Sequence, residues 1–445
     1  MSRLHQYWYD ARSSFWFVPG LLILGAVVLA IGLVDASAAI DPQTLNRWPL
    51  LFGAGAAGSR GLLAAIAGSM ITVAGVVFSI TLVALSLASS QYTSRVLRNF
   101  MRDRINQVVL GVFVGIFAYC LVVLRTIRGG DEGAFVPALA VLAGLLLGFV
   151  GIAFLVFFIH HISTSIQASQ IIAAVSDETL HAVDTLFPKC VGREADDDIE
   201  TESGPVEHTW HTVCSLQTGY IQHINTAELL AFAQECGTVI RMERCIGEFV
   251  IEGTPVISIL GTNRPDEQDS RRLGSVSTVG RQRTIEQDAA FGIRQLVDVA
   301  LKALSPGIND TTTAVMCIDY LTAILIRLAD RRIESRYRSE DGELRVLTRG
   351  PTFAGLVAES FDQIRQNAAG NVAVLCRLLW SLETLADRTS TVLQRGVLLD
   401  HALALDELVR RSIPSEYDRQ PIISRSTHLT TLLDVRSKAS SPVAP

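Results

Sequence analysis

The run LLAAIAGSMITVAGVVFSITLVALSLASS, Leu62 to Ser90, is 29 residues long and contains no charged side chain. As an α-helix rising ~1.5 Å per residue it extends roughly 44 Å, well beyond the ~30 Å hydrocarbon core of a bilayer. Such a helix crosses the membrane and either tilts or projects from it. Its hydroxyls are expected along one seam: Ser69, Thr72, Ser79, Ser86 and Ser90, with Val76 and Val83 completing it. The rows Ala67, Ile71, Gly75, Ser79 and Ala64, Gly68, Thr72 bring small residues together at spacing four. Two readings compete. Small residues let helix backbones approach, and hydroxyls bond across helices or to their own i−4 carbonyls. A hydroxyl-lined seam at the centre of an oligomer is also the lining of a water-accessible pathway.

Three further runs are long enough to span: roughly 15–34, 105–124 and 135–160, with Pro19 in a first turn where its missing N–H costs least. Polar punctuation separates them at Asp41-Pro42, at an arginine cluster, and at Arg128-Gly129-Gly130-Asp131-Glu132. No ionisable residue sits deep in any run, which argues against a proton relay or charge-coupled pump. Arg3, Arg12, Arg95, Arg98, Arg102 and Arg104 face Arg47, Arg60, Arg125 and Arg128 across the membrane, a bias of 6 against 4. By the positive-inside rule both termini and everything after His160 are expected in the cytoplasm. Arg95, Arg98 and Arg102 fall on one helical face beyond Ser90, either as topology signals in contact with anionic lipid or as an electropositive vestibule.

Composition supports a chain of two characters. Over 445 residues it is 49% hydrophobic and 18% charged, with a mean hydropathy of +0.34 that averages an apolar N-terminal part and an ordinary soluble remainder. A net charge of −6 gives no reason to expect a nucleic-acid partner. The 7 cysteines are irregularly spaced with no C-x-x-C pair, so neither a disulfide framework nor a metal site is indicated. His208, His211 and Cys214 alternate poorly for metal binding on a strand. No cleavable signal is apparent, and the first apolar run reads as a retained helix.

Beyond the membrane part (1–162), residues 163–205 read as a helix continuing from the last span, then an acidic linker. Residues 206–262 show short strands around a helix starting at Asn225-Thr226. Their G-x-F-V-x-x-G-x-P-V run, from Gly247, resembles the barrel-sandwich hybrid of lipoyl and biotinyl carrier domains. No lysine lies between Lys189 and Lys302, so the carrier's modified residue is absent, and a structural or assembly role is expected without a cofactor. Residues 263–436 read as mainly helical and 437–445 as a disordered tail. The densest polar group there is Gln287, Asp288, Arg294, Asp298, Asn309 and Asp310. Arg294–Asp298 and Asp298–Lys302 stand at helical i,i+4 spacing, and Asn309 or Asp310 is placed to cap a helix over 311–328. The expected fold is thus a polytopic α-helical membrane domain of about four spans, then a soluble α+β domain with a small β-sandwich module and a helical C-terminal part.

Long strings resemble a bacterial family of predicted membrane proteins, domain of unknown function 2254. They are Phe15-Trp16-Phe17-Val18-Pro19, the run from Gly68 to Ser79, Gln91-Tyr92, Arg95 to Phe100, and Phe158-Ile159-His160-His161-Ile162. Gln287-Asp288, Phe291 to Asp298 and Ala303 to Asp310 extend the likeness over nearly the whole chain. The departure is Thr311, where the family usually has proline. The resemblance implies four spans and a soluble C-terminal region, and carries no activity; the expected location is the bacterial inner membrane. The expected function is a homo-oligomeric passive pathway for ions or small solutes, with membrane lipid as its other partner. The alternative is a membrane-anchored sensor or scaffold that binds a ligand or partner at the 281–319 corner. An enzyme is not expected: no Ser-His-Asp order, phosphate loop or H-E-x-x-H motif occurs.

Overall fold

Uninterrupted apolar runs with small residues at helical spacing form four helices: α1 (Phe17–Ala38), α2 (Ala56–Gln91), α3 (Arg104–Thr126) and α4 (Ala138–Ser165). The computed structural model describes residues 16–39, 55–91, 104–129, 135–165, 167–186, 209–261, 265–331, 337–340, 343–389 and 391–439, and the chain divides into two compact units between Gln170 and Ile171. In the first unit α3 is the central helix, with Phe113, Tyr119, Cys120 and Val123 fully buried. The outer faces of α1 and α4 carry Leu21, Leu24, Val28, Leu146, Phe149 and Val156, large apolar side chains suited to lipid.

Glycines set how these helices meet. Gly111 and Gly115 of α3 lie against Pro19, Leu22 and Ala26 of α1, so those two helices run the same way. Gly144, Gly148 and Gly151 of α4 receive Leu63, Ile66 and Met70 of α2, again in parallel. Arg60, near the start of α2, donates to the Ile127 carbonyl just past the end of α3 at 2.8 Å, so α2 and α3 are antiparallel. The helices therefore alternate in direction, and the start of α1 and the end of α4 lie on one side of this unit. The Tyr119 hydroxyl donates to the Ala140 carbonyl at 2.7 Å, which satisfies a phenol that would otherwise be stranded in the bundle.

Two expectations shift here. α2 begins six residues before Leu62, with Arg60 stabilised by its carbonyl partner. The helix expected to continue from the last span is a separate element: α4 ends at Ser165 and α5 spans Ala168–Leu186. Ser163, Thr164 and Ser165 bond back to carbonyls of the preceding turn, which competes with helix propagation.

The second unit contains two sheets. Strands β1 (Thr209–Cys214), β5 (Pro255–Gly261), β3 (Ile240–Met242), β8 (Glu343–Leu347) and β7 (Tyr337–Glu340) lie side by side in that order, and β4 (Phe249–Val250), β2 (Gly219–Ile224) and β6 (Ser277–Gly280) form the other sheet. Helices α6 (Thr226–Glu235) and α7 (Glu267–Gly274) complete this part, whose core holds Ile221, Leu229, Phe232, Ile240, Met242, Ile257 and Leu273. The stretch 206–262 accounts for β1 to β5 alone. β6 comes from beyond it, and the hairpin β7–β8 comes from within the stretch 263–436 read as mainly helical, with β8 parallel to β3.

The remainder is helical: α8 (Ala289–Ala303), α9 (Thr311–Ala329), α10 (Phe353–Asn367), α11 (Val372–Ala386), α12 (Val392–Ser412) and α13 (Glu416–Ala439). Asp288, Asp310, Thr352, Asn371 and Thr391 each accept the backbone N–H three residues on, so five of these starts are capped as their residue types favour. Among the described residues five helices are long and apolar enough to cross a membrane, one more than the sequence reading. Four lie in the first unit. The fifth is α9, whose Ile318, Leu321, Ile324, Leu325 and Leu328 are fully buried within the second unit.

Candidate functional site

The buried face of α2 carries Leu63, Ala67, Met70, Ala74, Val77 and Ala84. Its opposite face is exposed and carries the hydroxyls of Ser69, Thr72, Ser79 and Ser86. At about 100° per residue, Gly61, Gly68, Thr72, Gly75, Ser79 and Ser86 fall within roughly 40° of one line, while Ser69 lies about 80° round. Ser69 is therefore on the flank of the seam and not in it. A Cβ at Gly61, Gly68 or Gly75 would meet nothing within 4 Å. Tight packing against the chain's own described helices is thus not the reason for these small residues. Thr72 donates to the Gly68 carbonyl at 2.8 Å, which hides its proton and leaves oxygen lone pairs outward. Val83 falls within the same arc and Val76 about 60° round, both more than half exposed, and Ile71, Phe78, Leu82 and Leu87 lie further to the sides. The side chain of Ser90, and Arg95, Arg98 and Arg102 altogether, lie outside the described residues.

The second candidate cluster does not form one pocket. Asp288 is nearly buried, held by Arg283 through two contacts of 2.8 and 2.9 Å, while its Oδ1 caps α8 by accepting from Phe291 N–H at 3.0 Å. Gln287 accepts from the Ile224 N–H at 3.0 Å, which pins the start of α8 to β2. Further along, Arg294 bonds Asp298 at 2.9 Å and reaches Glu359 of α10 at 3.3 Å. Asn309 and Asp310 sit past the far end of α8, about 22 Å from its start for a helix of this length. Asn309 adopts a left-handed φ of 49°, and Asp310 caps α9 through Thr313 N–H at 3.0 Å. The Thr313 hydroxyl also donates to Asp310, and with that N–H it holds the carboxyl below its usual range. Thr311 gains a role that proline could not fill: its hydroxyl accepts from the Asn371 amide at 2.9 Å, tying α9 to the cap of α11. Every member but Asn309 is thus engaged in an ion pair, a cap or a bond between elements.

Sequence reasoning passed over Asn106 and Gln107, both buried in the first turn of α3. Two carboxamides at the head of an apolar helix were the available signal. Among the described residues no group of three or more His, Cys, Asp or Glu could hold a metal ion.

The model of a family described as predicted membrane protein (DUF2254) matches residues 12–384. The chain belongs to this family. An uncharacterized protein of Mycobacterium tuberculosis (strain CDC 1551 / Oshkosh) is 31% identical to this DUF2254 protein over 433 residues, which cover 95% of this chain and 81% of the relative. An uncharacterized protein of Mycobacterium bovis (strain ATCC BAA-935 / AF2122/97) is likewise 31% identical, with the same coverage. No solved structure matches the DUF2254 chain.

Proposed function

We propose that this protein is a homo-oligomer of the bacterial inner membrane in which copies of α2 surround a passive pathway for ions or small solutes. In this reading α1 to α4 cross the bilayer, both termini are cytoplasmic, and the second unit assembles or gates the ring without catalysing a reaction. One observation carries it: the face of α2 turned away from its own bundle exposes the hydroxyls of Thr72, Ser79 and Ser86 among glycines and apolar side chains, whereas α1 exposes no hydroxyl and α4 none before Ser163. A face meant only for lipid has no use for Thr72, Ser79 and Ser86, whose oxygens can replace part of a solute's hydration shell. Ligand binding at the 281–319 corner is the weaker reading, because Asp288, Arg294 and Asp310 are already engaged in ion pairs and caps.

The test is solute flux through purified protein in liposomes. Ser79→Leu and Ser86→Leu place bulk on the exposed seam without touching the buried face, so the fold is preserved. Each is expected to lower flux roughly tenfold, the effect of losing one hydroxyl contact of about 1.4 kcal/mol. Flux indistinguishable from protein-free liposomes, or unchanged in both variants, removes the pathway.

A further inference from the structure

We propose that β1 pairs edge to edge with β1 of a second copy, joining two five-stranded sheets across a two-fold axis at Thr212. β1 is 6 residues long and lies at one end of its sheet, paired with β5 alone. The direction of its backbone groups follows from its neighbours. Leu260 N–H donates to the Val239 carbonyl at 2.9 Å, and Glu243 N–H donates to the Val256 carbonyl at 2.8 Å. The even-numbered residues of β5 therefore face β3, and the odd-numbered ones face β1. Ile257, Ile259 and Gly261 stand opposite Val213, His211 and Thr209, which bond to β5. Ser215 continues that series, its N–H donating to the Thr254 carbonyl at 2.8 Å. Trp210, Thr212 and Cys214 consequently turn their N–H and C=O groups away from the sheet, and among the described residues nothing bonds them. Helix α7 lies beside α6 on the face of the sheet and not along this edge. Its Leu273 enters the core that α6 shares, and its Arg272 reaches Glu228 and Glu235 of α6.

A row of alternating free donors and acceptors is met by another strand, ~4.8 Å away. Edges that stay single are usually short, charged or interrupted by proline. β4 has 2 residues, β6 has 4, and β7 carries Arg338 and Glu340. β1, Thr-Trp-His-Thr-Val-Cys, has no Asp, Glu, Lys, Arg or Pro and is rich in β-branched and aromatic residues.

A second copy is the partner this pattern fits. Antiparallel pairing centred on Thr212 sets it against Thr212 of the partner subunit, and Trp210 against Cys214 of the partner subunit. Every outward group is then bonded reciprocally. No charge opposes charge in that register, and facing threonines are a favourable cross-strand pair. Two copies anchored in one bilayer meet at raised effective concentration. The contact is isologous, so an oligomer in which every β1 is paired contains an even number of chains. The pairing rests on the assembly role proposed for the second unit and not on flux along α2, which is measured separately.

Cross-linking of the full chain in liposomes tests the register. With native cysteines replaced by serine or alanine, Thr212→Cys is compared with Thr209→Cys under mild oxidation, both positions being exposed. The pairing holds the two Thr212 Cα atoms about 5.5 Å apart, within disulfide reach, and the two Thr209 Cα atoms about 20 Å apart. Thr212→Cys is expected to form a disulfide-linked dimer, and Thr209→Cys is expected to stay single. Hydrogen exchange, with the native cysteines in place, tests the bonds themselves. The amides of Trp210, Thr212 and Cys214 are expected to exchange as slowly as those of His211 and Val213. Thr212→Lys sets like charges opposite each other, so these outward amides lose protection while His211 and Val213 keep theirs. The proposal is overturned if Thr212→Cys yields no more dimer than Thr209→Cys, if the outward amides of the wild type are already fast, or if Thr212→Lys leaves them slow.

Discussion

Gly247 and Gly253 have nearly the same backbone, with φ of 85° and 83° respectively, and differ in what surrounds them. A Cβ at Gly253 would meet nothing within 4 Å, whereas at Gly247 it would stand 2.2 Å from the Asp288 carboxylate and 2.9 Å from Arg283. Alanine at Gly253 therefore carries only the left-handed strain, about 1 kcal/mol. Alanine at Gly247 adds displacement of a buried ion pair that also caps α8, so its cost is expected to exceed that of Gly253→Ala by about 2 kcal/mol or more. Chemical denaturation of the two variants side by side measures the difference. Equal costs would mean that the Arg283–Asp288 pair yields freely and does not lock the turn to the helix. At this scale the sequence singled out Gln287 and Asp288 by their polarity. It assigned them to a candidate pocket because their partners, Ile224 and Arg283, are decided by tertiary contact and not by spacing.

At the scale of elements, glycine on a membrane helix has two uses in this chain. Gly111 of α3 would place a Cβ 2.9 Å from the Pro19 Cα, a backbone atom that cannot swing aside. Gly75 of α2 has open space in the same position. Gly111→Ala should destabilise the protein in detergent by about 1–3 kcal/mol through overpacking, while Gly75→Ala leaves the single chain's stability within about 0.5 kcal/mol. A loss of similar size at both sites would mean that the outer face of α2 is already packed in the purified particle. The sequence displayed both sets of glycines equally well, because spacing of three and four says which residues share a face and not which face turns inward. The same limit explains the rest. Helices were legible from apolar runs and caps, with starts at Thr226 and Thr311 beside the capping side chains Asn225 and Asp310. The hairpin β7–β8 was not, since its parallel pairing with β3 joins segments about a hundred residues apart, and no local pattern announces a partner at that distance.

At the scale of the whole molecule, the open question about α2 is what covers its outer face, and water, lipid and a second copy leave different chemical traces. In a background with native cysteines replaced by serine or alanine, single cysteines can be placed at Ser79 and Ser86 on the seam, at Val77 on the buried face, and at Leu24 and Val156 on the outer faces of α1 and α4. The thiolate is the reactive form, and it exists only where water solvates it. A membrane-impermeant maleimide is therefore expected to label Ser79→Cys and Ser86→Cys, and to leave Leu24→Cys, Val156→Cys and Val77→Cys unreacted. Oxidation adds a second discrimination. If copies of α2 meet along this seam, cysteine at Gly68 or Gly75 lies where small residues allow Cα atoms of two chains within the ~7 Å that a disulfide requires, and cross-linked dimers form. Labelling without cross-linking describes a seam that lines water at a distance from its symmetry mates, as in a wide ring. Cross-linking without labelling describes a dry helix pair, and then the hydroxyls serve assembly and the pathway must be abandoned. If Ser79→Cys is as inert as Val156→Cys and no dimer forms, the face meets lipid, and the order of its glycines and hydroxyls has neither of the causes argued for it.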